Sequence, residues 1–366
     1  MNIKSLLLGS AAALAVVSGA QAADAIVAAE PEAVEYVKVC DAYGTGYFYI
    51  PGTETCLRVA GYVRFDVGFG AGDAYDDNFS NADGSVIHGG EDWETHTRAH
   101  VSFDAKSDTE YGTLSSRIVL EANRFTGGPG IRPDTVGAAN AAVGDSGMNI
   151  DEAYIDIAGF RVGRFASWWD NDFSGESDIM GNVTKTNSIR YQYDTGSFYA
   201  GLALEDLGSV SGTDNNGLGI DGSVGGQVGG FTWAVYAGYD ADVQEGAVTA
   251  RIGADIGPGK FELAGIYSTD PNSYYATGEW AIAAQYALKA TDKLTVTPEV
   301  QYIDKIDVDS TGSFDGGNMW RAGVTLNYQI VENLSTELTA TYVDANHDAG
   351  PDSQFVEGFF RLERDF

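Results

Sequence analysis

The sequence predicts an all-β fold, a transmembrane antiparallel β-barrel of about 16 strands with long external loops and short periplasmic turns. Three observations predict it. Apolar and polar residues alternate with the two-residue period of a strand in segment after segment. The connections between these segments are short and long in turn, which is the asymmetry of an outer-membrane barrel. The last segment, from Phe355 to Phe366, carries Val356, Gly358, Phe360, Leu362 and Phe366 on one face and Glu357, Arg361, Glu363 and Asp365 on the other. One face suits lipid and the other water. A half-buried strand ending a soluble all-β protein would share that last pattern, so the rest of the chain decides.

Residues 1–22 have a basic start at Lys4, an apolar run from Leu6 to Val17 and the small-residue exit Ala20-Gln21-Ala22. This reads as a secretory signal peptide cleaved before Ala23. The apolar run is shorter than the ~20 residues a membrane-spanning helix needs, so the expected mature chain is exported and has no helical anchor. Without the leader, 20 basic residues face 53 acidic ones and the formal charge is −33. That charge argues against nucleic acid as a partner. A hydrophobic content of 44% with 12% aromatics separates the chain from acidic disordered sequences. Its 47 glycines among abundant Tyr, Thr and Val point to many strands and tight turns. The expected division is a signal peptide at 1–22, a periplasmic segment at 23–56 and the barrel at 57–366.

The two cysteines, Cys40 and Cys56, flank a loop rich in Tyr, Gly and Pro. In an oxidising compartment a disulfide closing that loop is expected. His88, His96, His100 and His347 have no spacing that joins them to the cysteines, so no metal site and no cofactor are expected. Glu94, His96 and His100 share one strand face, which reads as a solvated polar face.

The first strand alternates Leu57, Val59, Val63, Phe65, Val67 and Phe69 with Arg58, Arg64 and Asp66. After a polar loop through Asp73, Asp76, Asp77 and Asp83, Trp93, Ala99, Val101 and Phe103 alternate with Glu94, Arg98, His100 and Asp104. A turn at 107–112 leads to a third strand, in which Leu114, Ile118 and Leu120 oppose Arg117, Glu121 and Asn123. Further short turns are expected near Gly159 and at 194–197, 229–230, 257–260, 290–293 and 331–333. Longer loops are expected at 126–148, 167–185, 206–218, 269–278, 307–317 and 344–352. Aromatic residues such as Phe198, Phe231, Tyr239, Trp280, Trp320 and Tyr342 cluster at strand ends, as interfacial girdles require. The opposite face stays polar or small over whole strands, for example Thr249, Arg251 and Asp255. Since every backbone polar group must be paired inside a bilayer, closure into a barrel follows.

Residues 40–67, Cys-Asp-Ala-Tyr-Gly-Thr-Gly-Tyr-Phe-Tyr-Ile-Pro-Gly-Thr-Glu-Thr-Cys-Leu-Arg-Val-Ala-Gly-Tyr-Val-Arg-Phe-Asp-Val, closely resemble the amino-terminal block of alphaproteobacterial porins of the rhizobial and brucella type. The Ala-Asp-Ala start at Ala23 and the Arg161-Val162-Gly163 opening of a strand before a long loop are similar to that family too. The resemblance implies a 16-stranded homotrimeric porin, a water-filled channel in the outer membrane for passive passage of small hydrophilic solutes and ions. Lipid and lipopolysaccharide would surround it, and the third long loop would fold into the lumen.

That loop, at 167–185, carries Asp170, Asp172, Glu176 and Asp178 beside Trp168, Trp169, Phe173, Ile179 and Met180. An outward loop seldom needs so much apolar packing, whereas one pinned inside a barrel does. Arg64, Arg98, Arg117 and Arg361 share the polar parity of their strands and are expected to face it, setting up a transverse field. Salt bridging within the wall, with Glu94, Glu121 or Glu357, is the competing reading. Acidic external loops should enrich cations at the mouth. By resemblance, the loop at 126–148 latches neighbouring subunits, Ala23-Asp24 is a peptidoglycan tether, and Phe366 is the signal read by the assembly machinery. No nucleophile, nucleotide loop or metal-centred chemistry is legible, so no enzyme is expected. A non-conducting structural or adhesive barrel that anchors the envelope, and a secreted acidic all-β binding protein, are the alternatives.

Overall fold

The computed structural model describes residues 38–72, 79–80, 86–87, 93–126, 147–208, 217–348 and 350–366. The signal peptide, Ala23, Asp24, His88, the acids of the first long loop and residues 127–146 of the expected latch lie outside the described residues.

Sixteen strands form the wall. They are β1 (Cys56–Gly72), β2 (Trp93–Thr109), β3 (Gly112–Thr126), β4 (Met148–Ile157), β5 (Phe160–Ala166), β6 (Lys185–Asp194), β7 (Phe198–Asp206) and β8 (Leu218–Val228). The second half comprises β9 (Phe231–Asp240), β10 (Glu245–Ile256), β11 (Gly259–Ser268), β12 (Trp280–Lys289), β13 (Leu294–Asp304), β14 (Asn318–Val331), β15 (Leu334–Asn346) and β16 (Ser353–Asp365). Each pairs antiparallel with its sequence neighbours, and β16 pairs with β1 from Phe355↔Gly72 to Asp365↔Tyr62. Backbone bonds between Gly61 and Phe366, at 3.0 and 2.9 Å, carry the closing ladder to the last residue. The first and last strands of the ring therefore leave no open seam between them.

Alternation along each strand separates two faces. Val63, Phe65, Ile155, Ile189, Leu202, Val235, Ile252, Leu338 and Phe360 are exposed, while Asp66, Asp104, Thr249, Gln301, Thr325 and Thr341 are buried. A water-soluble protein would invert this arrangement, since large exposed apolar surfaces associate in water. A bilayer requires it.

The short connections sit at one end of the barrel. At the turn between β4 and β5, Ala158 and Gly159 both adopt positive φ, 53° and 85°, as a two-residue hairpin with the sheet's own twist demands. The same end carries a small appendix in which Phe48–Tyr49 pairs with the start of β1. Here Cys40 and Cys56 form a disulfide, and with Tyr47 they make a satellite core of their own. Tyr43 donates to Asp108 at 2.8 Å and ties the appendix to the end of β2. At the opposite end the connections are long, except between β9 and β10, where residues 241–244 close the hairpin.

β5 is only seven residues long. Its chain leaves the wall after Ala166, so the upper part of β4 has no partner on that side. A bulge in β4, between the Val119↔Glu152 and Leu120↔Ile150 pairs, leaves Asp151 outside the ladder. Asp151 meets Lys185 of β6 at 3.0 Å, a bridge across the top of β5.

Candidate functional site

Residues 167–184 leave the wall between β5 and β6 and cross to strands on the far side. Gly175 N–H donates to Gln285 Oε1 on β12 at 2.8 Å, and Glu176 N–H to Thr325 Oγ1 on β14 at 3.2 Å. Ser177 N–H donates to Glu299 on β13. Gln301, also on β13, accepts from Ile179 N–H at 2.8 Å and donates to the Ile179 carbonyl at 2.7 Å. Arg321 Nε on β14 donates to the Ser177 carbonyl at 2.8 Å, and Thr341 on β15 to Ser177 Oγ at 2.8 Å. In a ring of sixteen, β13 lies eight strands from β5, which is directly opposite.

The apolar residues of the segment explain why it stays there. Trp169, Phe173, Ile179, Met180 and Val183 are buried together with wall residues that include Tyr236, Ile266, Ala281, Ile303 and Val343. Tyr274 and Tyr275, from the connection between β11 and β12, join them and are fully buried. The Trp169 ring lies 5.5 Å from that of Tyr274 and 5.4 Å from that of Tyr236. Asn182 N–H donates to the Tyr274 carbonyl at 2.9 Å, so two connections fold inward and pin one another. Trp169 Nε1 and Ser167 Oγ both donate to Asp221, and the Tyr274 hydroxyl donates to Glu205 at 3.1 Å.

The four acids of the segment divide in two. Asp172 and Glu176 have exposed side chains, whereas Asp170 and Asp178 are partly covered. Asp170 is pushed up to about 6, mainly by burial, with Lys185 opposing the shift and Asp172 adding to it. Asp178 is pushed well up by burial and by the Glu299 carboxylate beside it. Glu176 also moves up, by burial and by Glu337, although lumen water at its exposed side chain screens part of that effect.

The four arginines expected to face these acids lie on the inward face, but each is engaged within the wall. Arg64 pairs with Glu363 at 2.6 Å, Arg98 with Glu121 at 3.4 Å, and Arg117 with Asp104 at 3.1 Å and Glu152 at 2.9 Å. Arg361 pairs with Asp66 at 2.7 Å, and it is also close enough to act on the charge of Glu176. Three basic residues hold the segment: Arg190, 4.0 Å from the Trp168 ring centre near its start, and Arg251 and Arg321 further along. Arg251 donates to the Asp172 carbonyl at 3.0 Å and stacks 4.6 Å from the Phe173 ring centre. Arg321 adds a bond to Glu357 at 2.7 Å. Strand parity marked both as inward, but nothing in the sequence spacing linked them to a loop rooted on distant strands.

A family model described as the porin subfamily matches residues 24–358. The chain is 45% identical to outer membrane protein IIIA of Rhizobium leguminosarum bv. viciae, over 98% of this chain and 93% of that one. It is 40% identical to porin Omp2a of Brucella ovis, over 83% of this chain and 91% of that one. Among solved structures, the trimer form of OmpT of Vibrio cholerae superposes with a TM-score of 0.56 at 11% identity, covering 86% of this chain and all of that one. That last likeness is one of fold.

Proposed function

The chain belongs to the porin family and forms an outer-membrane channel, and from that premise we propose that it is a general-diffusion porin whose lumen is narrowed by residues 167–185. The observation that carries this reading is the set of bonds joining a segment rooted at β5 to Gln285, Gln301, Arg321 and Thr325 on the opposite wall. A segment anchored at both ends of a diameter divides the water path. What passes is then set by the width beside it and by the charges it presents.

Those charges favour cations. Asp172 and Glu176 open onto the lumen, while Arg64, Arg98, Arg117 and Arg361 spend much of their field on wall carboxylates. The formal charge of the whole chain, −32, adds a potential of the same sign at the mouth. Solutes move down their own gradients, with no bond made or broken.

The surrounding assignments follow from the same reading. The protein works as a homotrimer in lipid and lipopolysaccharide, as the trimer form of OmpT supports. Residues 23–56 form the periplasmic segment, closed by the Cys40–Cys56 disulfide, and residues 57–366 form the barrel. Ala23-Asp24 tethers the chain to peptidoglycan. Phe366, exposed on its outer side and paired with Gly61, is the terminal aromatic signal for assembly.

Planar-bilayer recording in a salt gradient tests the function. The expected result is stepwise conductance with a reversal potential on the cation side. An anion-side potential would overturn the charge assignment, and a silent barrel would favour a structural role in the envelope.

A further inference from the structure

Arg251 and Arg190 stand apart from the other arginines named on the inward face, and Arg190 is turned to the Ala166 carbonyl and the Trp168 ring. Arg64, Arg98, Arg117, Arg321 and Arg361 each have a carboxylate partner. Arg251, only 9% exposed, has none within ion-pair distance among the described residues. Its guanidinium is held by neutral oxygens, the Tyr236 hydroxyl at 3.3 Å and the Asp172 carbonyl at 3.0 Å, and by the face of Phe173. The Asp172 and Asp178 carboxylates act on it only from beyond ion-pair distance, so the cation is aimed by three neutral contacts and only partly balanced.

Arg251 borders a cavity of about 380 Å³ between Asn171 and the short-turn ends of β6 to β11. Thr232, Gln227 and Lys260 line it as well. Gly253 makes the room, since a Cβ there would lie 2.6 Å from Thr232 Oγ1 and 3.1 Å from Lys260 Cε. Two acids line it: Glu262, already engaged by Lys260 at 2.8 Å and by the Gln285 amide, and Asp194, which accepts from Gly196 N–H at 2.6 Å and from the Gln192 amide at 3.3 Å. Lys260 keeps two of its three protons for other acceptors. The bay therefore offers donors in excess: a fixed guanidinium, an ammonium, a hydroxyl and an amide. Such a set suits an acceptor-only group of small size, and a carboxylate accepts charge-assisted bonds from a guanidinium and an ammonium together. The volume leaves space for a short polar body behind it.

We propose that the lumen carries, on the short-turn side of residues 167–185, a docking subsite for a small organic monocarboxylate, with Arg251 and Lys260 as its anion-binding groups. The proposal rests on the reading of the lumen as a solute path. It adds that a channel whose mouth gathers cations holds one anion-recognising step on its inner side. A hydroxylated acid pauses there, whereas a neutral sugar of the same size passes without pausing.

Gluconate and glucose, added from the short-turn side to single channels of the full chain, test this. Gluconate should interrupt the current and glucose should not. Lys260→Gln should weaken the interruption severalfold, and Arg251→Gln should weaken it roughly tenfold or more, as loss of a bond to a charged group implies. Arg364→Gln, at the exposed rim, should change nothing. Titration calorimetry of gluconate into the detergent-solubilised protein reads binding without any current. Heat of binding from a protein that passes no current would defeat the channel reading and leave the subsite standing. Conducting channels that give no gluconate heat would overturn the subsite, as would equal effects of gluconate and glucose. Lys260 is half-buried and bonds to Glu262 rather than to the segment, so the binding of Lys260→Gln remains interpretable even if Arg251→Gln displaces the loop.

Discussion

The two sides of the lumen solve the problem of a polar interior differently. From β16 through β1 to β4 the wall is dense in charge, and the charges answer one another: Arg64 to Glu363, Arg117 to Asp104 and Glu152, Arg361 to Asp66. From β12 to β15 the wall faces the crossing segment mainly with amides and hydroxyls, from Gln285, Gln301, Thr325 and Thr341. A paired wall keeps water and order but presents little net field. This wall, Glu299 and Arg321 included, bonds mainly to the backbone of the segment, which leaves the Asp172 side chain open while Glu176 interacts with Glu337 on β15. On the proposed reading, the field of the channel comes from the loop more than from the wall.

Breaking the side that holds the segment should have the largest effect. Trp169→Ala removes a fully buried ring from the cluster that joins the loop to Tyr236 and Tyr274, at a cost of about 3–5 kcal/mol. The barrel should still assemble, since its ladder is untouched, but single-channel conductance should rise and become noisy. Gln301→Leu is gentler. It strands the Ile179 N–H and C=O, at about 1–3 kcal/mol each, and liposome swelling with larger sugars should then speed up.

The charge difference between the sides predicts opposite signs. Asp172→Asn with Glu176→Gln should move the reversal potential toward zero, whereas Arg64→Gln, by leaving Glu363 unpaired, should move it further to the cation side. Each shift corresponds to about 1 kcal/mol or less for a permeant ion in water. Identical shifts from both variants would mean that the wall and loop charges are not distinct. The smallest effect is that of pH. Carboxyls are neutral below their pKa, and Asp170 is raised to about 6 with Glu176 also raised. Cation preference should therefore decline between pH 8 and pH 5, where ordinary surface carboxylates remain charged, and reversal potentials across that range check it.

Much of this architecture was legible in the chain. Period-two alternation marked Val63 and Phe65 as outward and Arg64 and Asp66 as inward, and short-then-long connections gave the strand count. The apolar content of residues 167–185 showed that this loop needed something to pack against. What alternation cannot say is who stands across the lumen. Gln301 and Arg321 meet the loop because a closed ring of sixteen brings β13 and β14 opposite β5, and that pairing depends on closure rather than on spacing. Tyr274 and Tyr275 were hidden for the same reason, as part of a connection that reads like any other polar loop. The four arginines pair with wall carboxylates on adjacent strands, which parity alone does not distinguish from acids on the loop.

Whether residues 167–185 stand in the water path can be measured at one position. Glu176→Cys adds a single free thiol to a chain whose two described cysteines are joined to each other. A cationic methanethiosulfonate reagent applied during planar-bilayer recording should lower the single-channel current and the cation preference together. Current and selectivity that stay unchanged after modification, with labelling verified by mass spectrometry, would contradict the account, because Glu176 would then lie outside the path that ions take.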